Sequence, residues 1–185
     1  NSLDAANSYD FVARSDVLFD DFGHGTRVAG IIGAERGNAE GIIGVAFGCR
    51  IMALDVATST GAVTLAAAVE ALDRARTRGA DIVNMSWRFE ARSRTLETAC
   101  RKAAAAGLLL VAAAGNERDY GATETSWPAN SPYVISVGAS TVHDRYAEYS
   151  NPGTFSGDVP TLDLAAPGGG PPYFLPVDSA SGLLS

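Results

Sequence analysis

Apolar residues along this chain follow two alternating rhythms. Continuous runs of strand length occur at Tyr9–Val12, Arg50–Val56, Asp81–Ser86, Leu108–Ala114 and Tyr133–Gly138. Within them Ile51 to Leu54 and Leu108 to Ala114 are unbroken, the pattern expected of strands covered on both faces. Between the runs, Leu65, Val69, Leu72 and Ala75 recur at helical spacing, with Thr64 placed to cap that helix and Gly79 to stop it. Leu96, Ala99, Cys100 and Ala103 repeat the pattern up to Gly107. A further helix is predicted to begin near Thr26 and run through Val28, Ala29, Ile31 and Ile32, where Gly30 and Gly33 allow close packing on a sheet. Strands alternating with helices predict an α/β architecture, a parallel sheet with crossover helices. After Gly138 the pattern weakens into turns, and positions 169–185, with Pro171, Pro172 and Pro176, read as a weakly structured tail.

Composition narrows this picture. At 185 residues, 46% hydrophobic and 19% charged, the chain can bury one real core and is not a disordered segment. A net charge of −7 argues against a nucleic-acid partner or an anionic membrane surface. No apolar run reaches the roughly 18 residues of a membrane span. Cys49 and Cys100 are too few for a disulfide framework and read as small core residues. Asp10, Asp16, Asp20 and Asp21 gather just before His24 and read as a solvated loop rather than a cation site.

Candidate chemistry lies in three places. Gly23-His24-Gly25-Thr26-Arg27-Val28-Ala29-Gly30 sets a histidine between glycines at the mouth of a helix, open to a partner as a general base must be. Val111 to Glu117 is a buried strand that ends in Gly115-Asn116. It projects a side-chain amide at the C-terminal edge of the sheet, where open α/β sheets bind ligands and where an amide can donate to a developing oxyanion. Ile82 to Trp87 is a strand ending in polar residues, suited to pairing with an extended peptide. Each has a plainer reading, as a structural histidine, a turn asparagine and a core strand. His143 reads as a surface residue, and Tyr149–Gly153 and Asp163–Gly168 as turns without chemistry of their own.

The order and spacing of these segments resemble the subtilisin-like serine peptidases (subtilases), whose histidine motif reads HGTHVAG with variations. The likeness runs from about Tyr9 to Gly168. It includes Tyr9-Asp10-Phe11-Val12, Gly44-Val45-Ala46 leading into Arg50-Ile51-Met52-Ala53-Leu54, and Pro128-Ala129-Asn130 before Val134 to Gly138. His24 and Asn116 stand 92 positions apart, about the family's separation. The resemblance implies a doubly wound, mostly parallel sheet with flanking helices, one partial peptidase domain over 1–185, incomplete at both ends. It implies peptide-bond hydrolysis through an acyl-enzyme, with His24 as general base and Asn116 as the oxyanion donor. Ser86, Trp87 and Arg88 then match the strand that pairs with substrate, and Ala113, Ala114 and Gly115 the opposite wall of the specificity pocket. The implied partner is a polypeptide in extended conformation and the implied compartment extracellular. No cofactor is implied beyond an optional structural calcium, for which no ligand set is identifiable.

Departures qualify the activity. Arg88 stands where the family usually has glycine, a place where backbone approaches backbone. Arg27 replaces the second histidine of the motif. The family's triad runs Asp, His, Ser along the chain. Only 23 residues precede His24, none in a DTG-like strand, and Asp20 and Asp21 are poor substitutes for the missing aspartate. Only 17 residues follow Gly168, and Ser179, Ser181 and Ser185 lack the surrounding GTSMA-type motif. The chain, which begins at Asn1 without a signal peptide, is therefore expected to be cut from a longer peptidase and inactive alone. The alternative is a catalytically dead module that binds peptides.

Overall fold

The computed structural model describes residues 2–156 and 159–169. The chain divides into two compact units, residues 1–80 and 81–185. The expected tail lies outside the described residues from position 170 on.

In the first unit, β1 (Tyr9–Asp10) pairs in parallel with β2 (Leu54–Asp55), Tyr9 opposite Leu54 and Asp10 opposite Asp55. Both strands are shorter than their apolar runs, for local reasons. The Asp10 carboxylate accepts the N–H groups of Val12 at 2.8 Å and Ala13 at 2.7 Å, which bends the chain into a turn directly after β1. Asp10 is thus 5% exposed, a buried turn-former rather than part of a solvated loop. Ahead of β2, Ile51 pairs only through an isolated bridge with Leu3. The opposing Asp4–Ser8 segment turns back on itself there, and the Ala53 N–H bonds to the Ser8 hydroxyl at 2.9 Å instead of to a strand.

Two helices complete this unit. Helix α1 (His24–Gly33) ends where Gly44, Val45 and Ala46 donate to the carbonyls of Ala34, Ile31 and Ile32. A Cβ at Gly33 would lie 2.8 Å from Ile51 Cδ1, so this glycine does let the helix approach the Ile51 segment. Gly30, by contrast, has open space beside it. Helix α2 (Leu65–Thr77) begins at Thr64, whose hydroxyl accepts the Ala67 N–H at 3.2 Å. It stops at Gly79, whose φ of +75° suits glycine. Arg74 of α2 lies over the Tyr9 ring and donates to the Asn7 and Ser8 carbonyls, fixing the helix to the segment before β1.

The second unit is a four-stranded, wholly parallel sheet in the order β3 (Ile82–Met85), β4 (Leu109–Ala113), β5 (Ile135–Ser140), β8 (Leu164–Pro167). Between β5 and β8 lies a short antiparallel pair, β6 (Phe155–Ser156) with β7 (Val159–Pro160). Helix α3 (Arg94–Ala105) forms the crossover from β3 to β4 and packs on β4. Its capping hydroxyl is Ser93, and it buries Leu96, Cys100 and Ala103 on one face. Strand β4 buries Leu110 and Ala112 but leaves Leu109 46% exposed, so the continuous apolar run is covered on one face more than the other.

Strand β8 is absent from the apolar pattern, and side chains explain its place. The Ser136 hydroxyl, buried in β5, lies 2.8 Å from both the Asp163 carboxylate and the Thr161 carbonyl, the two acceptors its single proton serves. The Asp163 N–H returns to the Ser136 hydroxyl at 2.9 Å. This clamp lays Leu164–Pro167 against β5 although those four residues are all exposed.

Candidate active site

His24 is the first residue of α1 and is half-buried. Its presentation depends on the loop before it. Gly23 occupies the N-cap position at φ +77° and brings no capping side chain. Asp20 supplies the acceptors instead. One carboxylate oxygen takes the Gly23 N–H at 2.7 Å, and the other takes the Thr26 N–H at 2.7 Å and the Thr26 hydroxyl at 2.6 Å. Two of the helix's otherwise unpaired N-terminal groups are satisfied in this way. Burial alone would raise the Asp20 carboxyl, but the bonds from Thr26 and Gly23, together with the charge of His24, hold it below the usual carboxylate range. Asp55 moves the other way. Burial pushes it up, and the charges of Asp10, Asp20 and Asp21 add to the shift against one hydrogen bond from Ala57. Among the described residues, no group of three or more His, Cys, Asp or Glu is placed to hold a metal ion.

The remaining candidates all belong to the second unit. Strands β3 and β4 run parallel with Met85 opposite Ala112, so both leave the sheet at the same edge. Ser86, Trp87 and Arg88 continue from β3; Ala114, Gly115 and Asn116 continue from β4. The two exits are tied to a third segment. The Ser126 N–H bonds to the Ala114 carbonyl at 2.7 Å, and the Phe89 N–H bonds to the Trp127 carbonyl at 2.7 Å. Trp87 meets Phe89 edge-on at 5.6 Å, and Arg92 lies 5.6 Å over the buried Trp127 ring.

The turn carrying Asn116 is held from several sides. Gly115 has φ +108°, and a Cβ there would fall 2.3 Å from the Ser126 hydroxyl and 2.5 Å from Asn151 Nδ2. Only glycine fits this position, in both backbone and space. Asn151, 2% exposed, accepts the Glu117 N–H at 2.6 Å through Oδ1. Its Nδ2 donates to Glu117 Oε2 at 3.0 Å and to the Ser126 hydroxyl at 2.9 Å. Its own N–H bonds to the Gly115 carbonyl at 2.9 Å, and its carbonyl accepts the Tyr146 hydroxyl. Glu117 Oε2 also takes the Asn116 N–H at 3.0 Å, while Oε1 pairs with Arg88 Nε at 2.5 Å.

Three members of this arrangement, Glu117, Ser126 and Asn151, had no role in the sequence reading, and the segment containing Asn151 was expected to be an inert turn. The contact spans 34 positions of chain, and no local pattern announces it. His143, expected at the surface, is exposed. Both cysteines are free; Cys100 is fully buried as expected, whereas Cys49 is only half-buried.

Comparison with known proteins places these features in a class. The subtilase family model matches residues 2–184, and the chain belongs to that family. A thermophilic serine proteinase of Bacillus sp. (strain AK1) is 40% identical over 160 residues, 86% of this chain and 38% of that protein. Subtilisin DY of Bacillus licheniformis is 36% identical over 159 residues, 85% of this chain and 56% of the relative. The minor extracellular protease Epr of Bacillus subtilis (strain 168) is 34% identical over 168 residues, 91% of this chain and 25% of Epr. Among solved structures, a cold adapted subtilisin-like serine proteinase matches with a TM-score of 0.74 at 30% identity, over 87% of this chain and 54% of its own. The fold is thus subtilisin-like, a parallel sheet with flanking helices. The chain spans from a quarter to a little over half the length of these relatives.

Proposed function

We propose that the chain is part of a serine-type endopeptidase that cleaves polypeptides through an acyl-enzyme. The observation that carries this reading is the clamped Gly115–Glu117 turn, which holds Asn116 at the C-terminal edge of a parallel sheet beside Ser86–Arg88. A donor that stabilises a developing oxyanion must be fixed before the charge appears, and the bonds from Asn151, Glu117 and Ser126 fix the backbone of this one.

In this reading the Asn116 side-chain amide donates to the tetrahedral oxyanion. His24 takes the proton of the attacking hydroxyl and returns it to the leaving amine. Ser86, Trp87 and Arg88 face one side of an extended substrate, and Ala113, Ala114 and Gly115 face the other. Main-chain hydrogen bonds to such a peptide's backbone are what a strand end of this kind can offer. No organic cofactor takes part, and a structural calcium has no assigned ligands. Secretion is supported by likeness to a relative described as an extracellular protease. No helix among the described residues is long and apolar enough to cross a membrane.

The nucleophilic serine and the orienting aspartate of this mechanism have no counterpart motif in the 185 residues. On that ground the reading has this stretch by itself not turning over peptide bonds. Treatment of the purified chain with a fluorophosphonate probe tests the point. No covalent adduct is expected, and an adduct on any serine would overturn the assignment of an incomplete triad. A peptide-binding module without catalysis shares the substrate edge. It is distinguished by the coding sequence on either side, which for a peptidase encodes DTG-like and GTSMA-like segments.

A further inference from the structure

We propose that the Arg88–Glu117 ion pair closes the substrate edge electrostatically, so that the side chain received between Ser86–Arg88 and Ala113–Gly115 is short and uncharged. The inference rests on reading these two segments as the sides of a peptide site, and adds what that site selects.

Arg88 comes from the β3 exit and Glu117 from the β4 exit, so the pair joins the two segments directly, with Nε 2.5 Å from Oε1. The Glu117 side chain is half-buried at 26% exposure, and the Arg88 side chain, 36% exposed, reaches it from the solvent side. A pair with one exposed partner gains little from Coulomb attraction alone; here the fixed carboxylate and the charge-assisted hydrogen bond keep it in one geometry. The carboxylate has no freedom to follow a ligand. Its second oxygen takes the Asn116 N–H, Asn151 Nδ2 and the Ser126 hydroxyl, which fix its plane.

Two consequences follow for an incoming side chain. A lysine or arginine reaches Glu117 only by displacing Arg88, and a carboxylate reaches Arg88 only in the field of Glu117. Neither charge gains what it loses in leaving water. The arginine stem also fills space that a glycine at position 88 would leave open. A small neutral side chain meets none of these costs.

The test is binding of blocked extended tetrapeptides Ac-Ala-Ala-Ala-X-amide, with X as Ala, Lys or Glu, to the intact chain. The readout is fluorescence of its two tryptophans, Trp87 and Trp127, which stand next to Arg88 and Ser126. Wild type is expected to bind the Ala peptide more tightly than either charged one. Arg88→Ala is expected to raise affinity for the Lys peptide relative to the Ala peptide about tenfold, with no gain for Glu. Arg88→Gln, which keeps most of the stem without the charge, is expected to move the Lys preference in the same direction. A wild type that already favours Lys or Glu, or a preference unchanged in both variants, would overturn the proposal while leaving the peptide site intact. Failure of every peptide to bind wild type and variants would remove the underlying site, and the proposal with it.

Discussion

Replacing Asn151 with alanine removes the keystone of the turn that presents Asn116, and the cost follows from the bonds it makes. Three side-chain hydrogen bonds are lost: from the Glu117 N–H at 2.6 Å, to the Glu117 carboxylate at 3.0 Å and to the Ser126 hydroxyl at 2.9 Å. Two are neutral and one is charge-assisted, so the sum on mutational scales is about 4 kcal/mol. A water entering the vacated polar space recovers part of that, which leaves a net destabilisation of about 3 kcal/mol. Ser126→Ala serves as the comparison, because it loses a smaller share of the same network and should cost about 1 kcal/mol. Asn151→Asp should be worse than alanine at neutral pH, since it sets a second carboxylate where Nδ2 now meets Glu117 Oε2. Urea unfolding followed by tryptophan fluorescence gives the stabilities, and hydrogen exchange at the Glu117 amide reports the local effect. A loss below about 0.5 kcal/mol for Asn151→Ala, with Glu117 exchange unchanged, would refute the claim that Asn151 holds this turn.

Gly115→Ala adds a Cβ 2.3 Å from the Ser126 hydroxyl at φ +108° and should cost about 3 kcal/mol in urea unfolding, whereas Gly121→Ala, at φ +93° with open space around it, should cost about 1 kcal/mol. The folded-state pKa of Asp20 is lowered, so its contribution is present above the unfolded value of about 3.9 and is lost as pH falls through the lower folded value. The Thr26 amide resonance should therefore titrate with a midpoint below that reference, and Asp20→Asn should abolish the transition; a midpoint at or above it would contradict the hydrogen-bonded loop. Burial pushes the Cys100 thiol up to about 11, so a disulfide reagent at pH 8 should modify Cys49 quickly and Cys100 only on unfolding. Two fast thiols would contradict the burial of Cys100.

Much of the fold was readable because it is written locally. Thr64 and Gly79 bracket α2, Gly107 ends α3, and the apolar runs mark β3, β4 and β5 as strands, although Ile82 and Leu109 on them stay exposed. Readability failed where a long-range contact decides the outcome. Leu164–Pro167 is exposed and ends in proline, and the bonds between Asp163 and Ser136 bring it into register beside β5. Strand β1 stops at Asp10 because a carboxylate captures the next two amides, which the apolar residues Phe11 and Val12 conceal. In the candidate site, motif order pointed to His24 and Asn116, but nothing in a linear pattern connects Asn151 to Glu117. Arg88 was visible as a departure from the family's glycine; its pairing with Glu117 was visible only in three dimensions.

The central claim is that the exits of β3 and β4 form the substrate edge and that Asn116 faces it. Titration of the isotope-labelled chain with an extended, uncleaved alanine peptide, followed by amide chemical shifts, tests it most directly. Shifts concentrated at Ser86, Trp87, Arg88, Ala113, Ala114 and Gly115, with a matching shift of the Asn116 side-chain NH2, are the predicted result. Saturating peptide that leaves these resonances in place, or moves only resonances of α3 and the β8 edge, would contradict it.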